Sequence, residues 1–124
     1  MIQSASLLKD EIASFLKEVR RDEEGIIRAG ISFPPAFSGF KGHFPGRPVV
    51  PGVCKIMLVC VLLEAVLRRP VSLKRILKAK FLAPVSCDTE LTVCVSSAGT
   101  GTVKAVVATG TVRVAELHLE VSYG

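Results

Sequence analysis

The 124-residue sequence contains no tryptophan, one tyrosine and two histidines. With so few aromatic side chains suited to stacking on bases, and no zinc, helix-turn-helix or RNP pattern, the net charge of +5 is not expected to serve nucleic-acid binding. The four cysteines, Cys54, Cys60, Cys87 and Cys94, form no C-x-x-C pair and stand near no second histidine in ligand spacing. They read as reduced core residues, and neither a metal nor a cofactor is expected. A bilayer-length apolar run is also missing: residues 53–67 are interrupted by Lys55 and Glu64 and fall short of the ~20 residues a membrane helix needs. No basic region followed by an apolar run opens the chain, and acids occur by Asp10 and Glu11, so a cytoplasmic protein without membrane insertion is expected.

Hydrophobic residues, by contrast, are plentiful, at 49% of the chain. For a single domain of this length, so apolar a composition points to surface covered by a second copy, a homodimer or higher oligomer. Leu8, Ile12, Phe15, Leu16 and Val19 recur at helical spacing, which predicts an amphipathic helix over 4–20 with Ser6 as N-cap and a turn ending at Gly25. A strand is expected over 25–33, then a loop broken by Pro34, Pro35 and Gly39. A helix starting after Pro51 and running to about Leu67 is apolar on every side and must be enclosed by other structure. Four strands rich in Val, Leu and Thr follow, over 72–82, 90–97, 102–108 and 112–122. The first reads as half-buried, with Leu73, Leu77, Ala79 and Phe81 on one face and Lys74, Lys78 and Lys80 on the other. His118 alternates with Leu117 and Leu119, which places it toward solvent or an interface. A single α+β domain over 1–124 is therefore expected: an N-terminal helix and a curved antiparallel sheet wrapped around a long central helix.

Residues 42–53, GHFPGRPVVPGV, set one of the two histidines among prolines and glycines directly before the apolar helix. This segment resembles the motif of bacterial 3-hydroxyacyl-acyl carrier protein dehydratases of the FabZ/FabA type, which have the hot-dog fold. FPPAFSGFKGHF, KAKFLAPVSCDTEL and VVATGTVRVAELHLEV resemble their counterparts there in the same order, so about four-fifths of the chain is covered. The resemblance implies a hydro-lyase that converts a 3-hydroxyacyl thioester to the trans-2-enoyl thioester in fatty acid or related acyl-chain biosynthesis. Its partner would be acyl carrier protein or a coenzyme A thioester.

That reaction needs a base for the α-proton, donors for the developing enolate oxygen and an acid for the departing hydroxyl. His43 suits the first role, since an unperturbed imidazole, with a pKa of ~6.5, leaves its neutral form available near pH 7. Pro45, Pro48 and Pro51 restrict the backbone that carries it. Free N–H groups at the helix start suit the second role, and Gly52 would let a carbonyl come close. In the resembling family the amide at this glycine polarises the carbonyl, which makes Gly52 and Val53 the oxyanion residues. Phe44, together with Phe33, Phe37 and Phe40, would line an acyl tunnel; each alone reads rather as core, and only nearness in sequence to His43 favours the tunnel.

The third role is unfilled where the resemblance places it. The family's Glu or Asp acid, fourteen residues after the histidine, is replaced here by Met57, whose thioether has no proton to donate. Glu64, a possible substitute acid, returns to nearly the same helical face but lies ~10 Å further along the axis at ~1.5 Å per residue. Its plainer reading is a charge that meets solvent or Arg68. Three alternatives stay open: a working dehydratase or hydratase whose acid is a water or a displaced carboxylate, a non-catalytic or half-site subunit of a heterodimer with a second hot-dog chain, and a hot-dog acyl thioesterase. The basic residues over 68–80 would offer a docking stripe to an acidic carrier protein.

Overall fold

The computed structural model describes residues 2–40 and 48–124, with side chains from residue 7 onward. His43, Phe44 and the centre of the quoted motif lie outside the described residues. The elements in chain order are α1 (Ile2–Phe15), β1 (Lys17–Arg21), β2 (Ile27–Ile31), a short 3-10 turn (Ser38–Phe40), α2 (Gly52–Leu67), β3 (Val71–Phe81), β4 (Leu91–Gly99), β5 (Thr102–Thr109) and β6 (Val112–Tyr123). The strands form one antiparallel sheet in the order β1-β2-β4-β5-β6-β3. None of the described helices is long and apolar enough to cross a membrane.

α2 determines the layering. Nine of its sixteen residues are buried, including the consecutive run from Leu58 to Leu63, because no side of the helix offers solvent a polar stripe. The inward residues of β4, β5 and β6, such as Val93, Val107 and Leu119, join it in one core. The helix ends where Arg68 turns left-handed at φ 55°, its N–H donating to the Glu64 carbonyl at 2.9 Å. Pro70 follows, and cannot continue a helix.

Two expectations require correction near the N-terminus. The first helix stops at Phe15 rather than near residue 20, and after Leu16 the five residues Lys17–Arg21 form β1, paired with β2. Ser6 lies within the helix and is not its N-cap. Helical periodicity carried on through Leu16 and Val19, but the Asp22 turn claims the chain for a hairpin. The Asp22 carboxylate accepts from the N–H groups of Glu24 (2.9 Å) and Ile26 (3.0 Å), and its other oxygen meets Arg28 at 2.6 Å. Gly25, at φ +86°, closes the turn in a conformation that side chains resist. The Arg28 guanidinium is the chief reason the Asp22 carboxyl titrates below its ordinary value.

β3 also departs from its expected half-burial. It is an edge strand, exposed from Ser72 to Phe81, with Leu73, Ile76, Leu77 and Phe81 each 41–50% accessible. Two bulges interrupt its pairing with β6, so that Lys74 and Leu77 have no partner across the ladder. Leu73, Ile76, Ala79 and Phe81 pair with the inward residues Val121, Leu119, Leu117 and Ala115. It is therefore Ile76, not Leu77, that shares the inner face. Arg75, Lys78 and Lys80 pair with Glu120, His118 and Glu116 on the outer face.

Phe33, Phe37 and Phe40 are core residues rather than an open tunnel wall, at 1%, 1% and 8% exposure. With Phe15 they form a chain of edge-on and tilted rings whose centroids are 4.9–6.0 Å apart. Phe37 touches all three others, so Phe37→Ala should cost about 3–5 kcal/mol by urea denaturation, the range for emptying a buried aromatic site. A loss below ~1 kcal/mol would mean the cluster is loosely packed.

Candidate functional site

The start of α2 is built by contrast with its end. Pro51, in extended conformation at φ −61° and ψ 149°, precedes the first turn and offers no capping side chain. The Cys54 N–H donates to the Pro51 carbonyl at 3.0 Å. The N–H groups of Gly52 and Val53 donate to no acceptor among the described residues, and Val53 is 61% exposed. Two such donors at the positive end of a sixteen-residue helix can receive a carbonyl oxygen on which negative charge develops.

Gly52 has a second reason for lacking a side chain. A Cβ there would come within 2.9 Å of the Phe81 ring, which packs across the helix start. The space the sequence reading assigned to an approaching carbonyl is thus partly taken by this aromatic edge. Over the face of the same ring stands Lys55, its Nζ 5.4 Å from the Phe81 centroid and 3.5 Å from the Ala83 carbonyl oxygen. Lys55 is only 3% exposed and has no carboxylate partner among the described residues. Burial lowers its pKa from the ordinary lysine value. The sequence reading treated Lys55 merely as an interruption of an apolar run; a lone lysine inside a helix apolar on all sides was the signal that it would be enclosed.

Met57 lines an apolar groove of about 360 Å³ between α2 and β3, with Val53, Ile56, Cys60, Leu73 and Lys9. No described carboxylate lines that groove. Glu64 stands further along α2, where its Oε2 accepts from Lys9 Nζ and from the Val71 N–H, both at 2.9 Å. Its partner is Lys9, not Arg68 as expected, because Arg68 has turned into the helix cap. One carboxylate oxygen therefore ties α1, α2 and the first residue of β3 together. Cys54 and Cys60 are buried; burial raises both thiols, Cys54 to about 11, which leaves them protonated and poor nucleophiles near neutral pH. Among the described residues no group of His, Cys, Asp and Glu is arranged to hold a metal ion.

The expected basic stripe over 68–80 does not lie on one face. Arg69 donates to the Gly124 carbonyl at 3.0 Å, Arg75 is paired with Glu120 at 2.8 Å, Lys74 sits at the first bulge, and Lys78 and Lys80 face outward beside β6.

Comparison with known proteins identifies the family. The model of the ApeI dehydratase family matches residues 18–114, most of the chain. The chain belongs to the ApeI dehydratase family. Among solved structures it resembles the dehydratase heterocomplex ApeI:P from Xenorhabdus doucetiae, at 18% identity and a TM-score of 0.76, covering 86% of this chain and 95% of that one. An uncharacterized protein from Erwinia carotovora subsp. atroseptica is similar at 21% identity and a TM-score of 0.66, covering 87% and 92%. Another from Pyrococcus horikoshii is similar at 16% identity and a TM-score of 0.64, covering 86% and 82%. No curated protein matches the chain. The shared architecture is the hot-dog fold, an antiparallel six-stranded sheet with two helices. For this ApeI-family protein the resemblance seen in sequence thus holds at the level of a hot-dog dehydratase.

The buried ammonium of Lys55 yields a test. A cationic group whose pKa is depressed in the folded state binds fewer protons folded than unfolded, so the stability it withholds is recovered only as pH rises toward the unfolded value of ~10.4. Lys55→Met should raise stability at pH 7 by about 1 kcal/mol, the scale on which poorly satisfied buried polar groups cost stability. The difference from wild type should shrink as pH approaches 10. Urea midpoints at the two pH values check this; a less stable variant at pH 7 would show that the ammonium is well satisfied.

Proposed function

We propose that the protein dehydrates 3-hydroxyacyl thioesters to trans-2-enoyl thioesters, with an acyl carrier protein or coenzyme A carrying the acyl group in fatty acid or related acyl-chain biosynthesis. The observation that carries this reading is the pair of N–H groups at Gly52 and Val53 with no acceptor among the described residues, in a chain of dehydratase family. α2 is then the central helix about which the sheet curves. The thioester carbonyl accepts from the Gly52 and Val53 amides, and His43 takes the α-proton. The electron pair of that C–H bond moves toward the carbonyl, then forms the C=C bond as the β-carbon–oxygen bond breaks. The hydroxyl leaves as water once an acid protonates it. Phe44, next to His43 in sequence, is assigned to the substrate side.

The acid distinguishes a second reading, that this is a half-site subunit. Met57 has no proton to give, and Glu64 is engaged by Lys9 and the Val71 N–H. The groove that Met57 lines runs beside the exposed apolar residues of edge strand β3. Such an edge suits coverage by another hot-dog chain, a second copy or a different one that brings a carboxyl group. The similar ApeI:P structure is itself a heterocomplex, which supports the two-chain form.

Hydration of a 2-enoyl thioester by the chain alone, and mixed with a cognate hot-dog chain, tests both readings. In the half-site reading the mixture is active and the lone chain is not. Met57→Glu should then raise the lone chain's rate at least ~10-fold, the low side of general acid catalysis. Adding His43→Ala should abolish the gain. A Met57→Glu protein that folds and dimerises yet is no more active than its parent would remove the main support for the half-site reading.

A further inference from the structure

The outer face of the sheet, opposite α2, holds a cluster that dehydration does not use. Strand register sets Lys104 of β5, His118 of β6 and Lys78 of β3 in one row across three strands. In the next row Glu116 lies between Val106 and Lys80. All of these except Lys80, together with Arg113, line a cleft of about 270 Å³. The Glu116 carboxylate is already held by Arg113 at 2.8 Å, and that guanidinium is the first cause of its lowered pKa, with smaller contributions from Lys80 and Lys78. The neighbouring carboxylate, Glu120, is likewise taken by Arg75 at 2.8 Å. Lys78 and Lys104 have no ion-pair partner among the described residues.

Between those two lysines, His118 Nε2 is shielded from solvent and has no hydrogen-bond partner among the described residues. A shielded ring nitrogen without a partner is uncommon in a folded protein. Flanking it with two cations raises the local cost, since neither ammonium can accept a bond from it and both repel a protonated ring. One anion would resolve these defects together: it would accept from Nε2–H and from both ammonium groups. Three basic residues against one carboxylate leave two positive charges in excess at the cleft, which matches a dianion. The cleft is smaller than the ~300–1,000 Å³ of sites that enclose a whole ligand, so it suits one compact group.

We propose that the row Lys78, His118 and Lys104 forms a phosphate-monoester site on the outer face of the sheet, with Arg113 at its margin. The group bound is either free inorganic phosphate or the terminal phosphate of a larger molecule whose remainder lies in solvent. The site faces away from α2, so it is distinct from the proposed thioester site, and it stands whether or not the dehydratase reading does.

The test uses the full chain with ¹³C-labelled histidine, whose only other imidazole is His43, titrated with inorganic phosphate at an ionic strength held constant with sodium chloride. The His118 resonances should move saturably while those of His43 stay in place. Lys78→Gln and Lys104→Gln, at exposed or half-exposed strand positions, should each weaken phosphate, and together raise its apparent dissociation constant at least ~10-fold, as expected for two charge-assisted hydrogen bonds. Coenzyme A tested beside its 3′-dephospho form separates the sources. Competition by the former alone assigns the site to a monoester on a larger molecule, and competition by neither assigns it to free phosphate. A His118 response that chloride reproduces, or that survives the double substitution, overturns the proposal. So does a response to an acidic protein with none to phosphate, which would make the patch a general electrostatic surface.

Discussion

A helix with no polar face must be hidden, and this one requirement organises the molecule. Between Gly52 and Leu67 the chain offers water almost nothing to hydrogen-bond, so the sheet on one side and α1 on the other both exist in part to cover α2. The two charged residues it carries are handled in opposite ways. Glu64, near the C-terminal end, becomes a junction for two donors; Lys55, near the N-terminal end, is enclosed with an aromatic ring and one carbonyl. The strongest polar anchoring thus lies at the end of the helix away from the proposed chemistry. The N-terminal end has amides without an acceptor among the described residues, a first turn with no capping side chain from Pro51 and a desolvated lysine.

Much of this was legible in the sequence because it rests on period and punctuation. The four C-terminal strands were expected to within a few residues, since Val- and Leu-rich alternation is broken cleanly by Gly99, Gly101 and Gly110, each with positive φ. Helix α2 was expected for the same kind of reason, its start set by Pro51 and its end by the approach to Pro70. The hairpin at residues 17–31 was missed at its first strand because Leu16 and Val19 continued the spacing of the preceding helix. A carboxylate that bonds two amides and an arginine decides that region, and such bonds leave no period in a sequence.

At the candidate site the legible part was chemical and the missing part geometric. A histidine set among prolines and glycines, and a methionine where the resemblance leads one to expect an acid, are visible directly as residue types. That Phe81, twenty-nine residues beyond Gly52 in sequence, lies against it could not be read, because alternation gives the face of a strand residue but not which part of the helix that face meets. Alternation correctly assigned Lys78, Lys80, Ala79 and Phe81, and failed only at residues 75–77. Two bulges advance the strand by one full side-chain period, so the pattern is in phase again by Lys78.

Those bulges also govern how the outer edge of β3 can be met. An uninterrupted edge presents a regular row of N–H and C=O groups to any extended chain. Here the row is broken at Lys74 and Leu77, and its longest unbroken stretch beyond the second bulge is residues 78–81. A chain joining this edge must bend in step with it or be content with a few rungs. The backbone itself therefore acts as a key with two notches, admitting a companion of matching irregularity and turning away the flat strands from which aggregates grow.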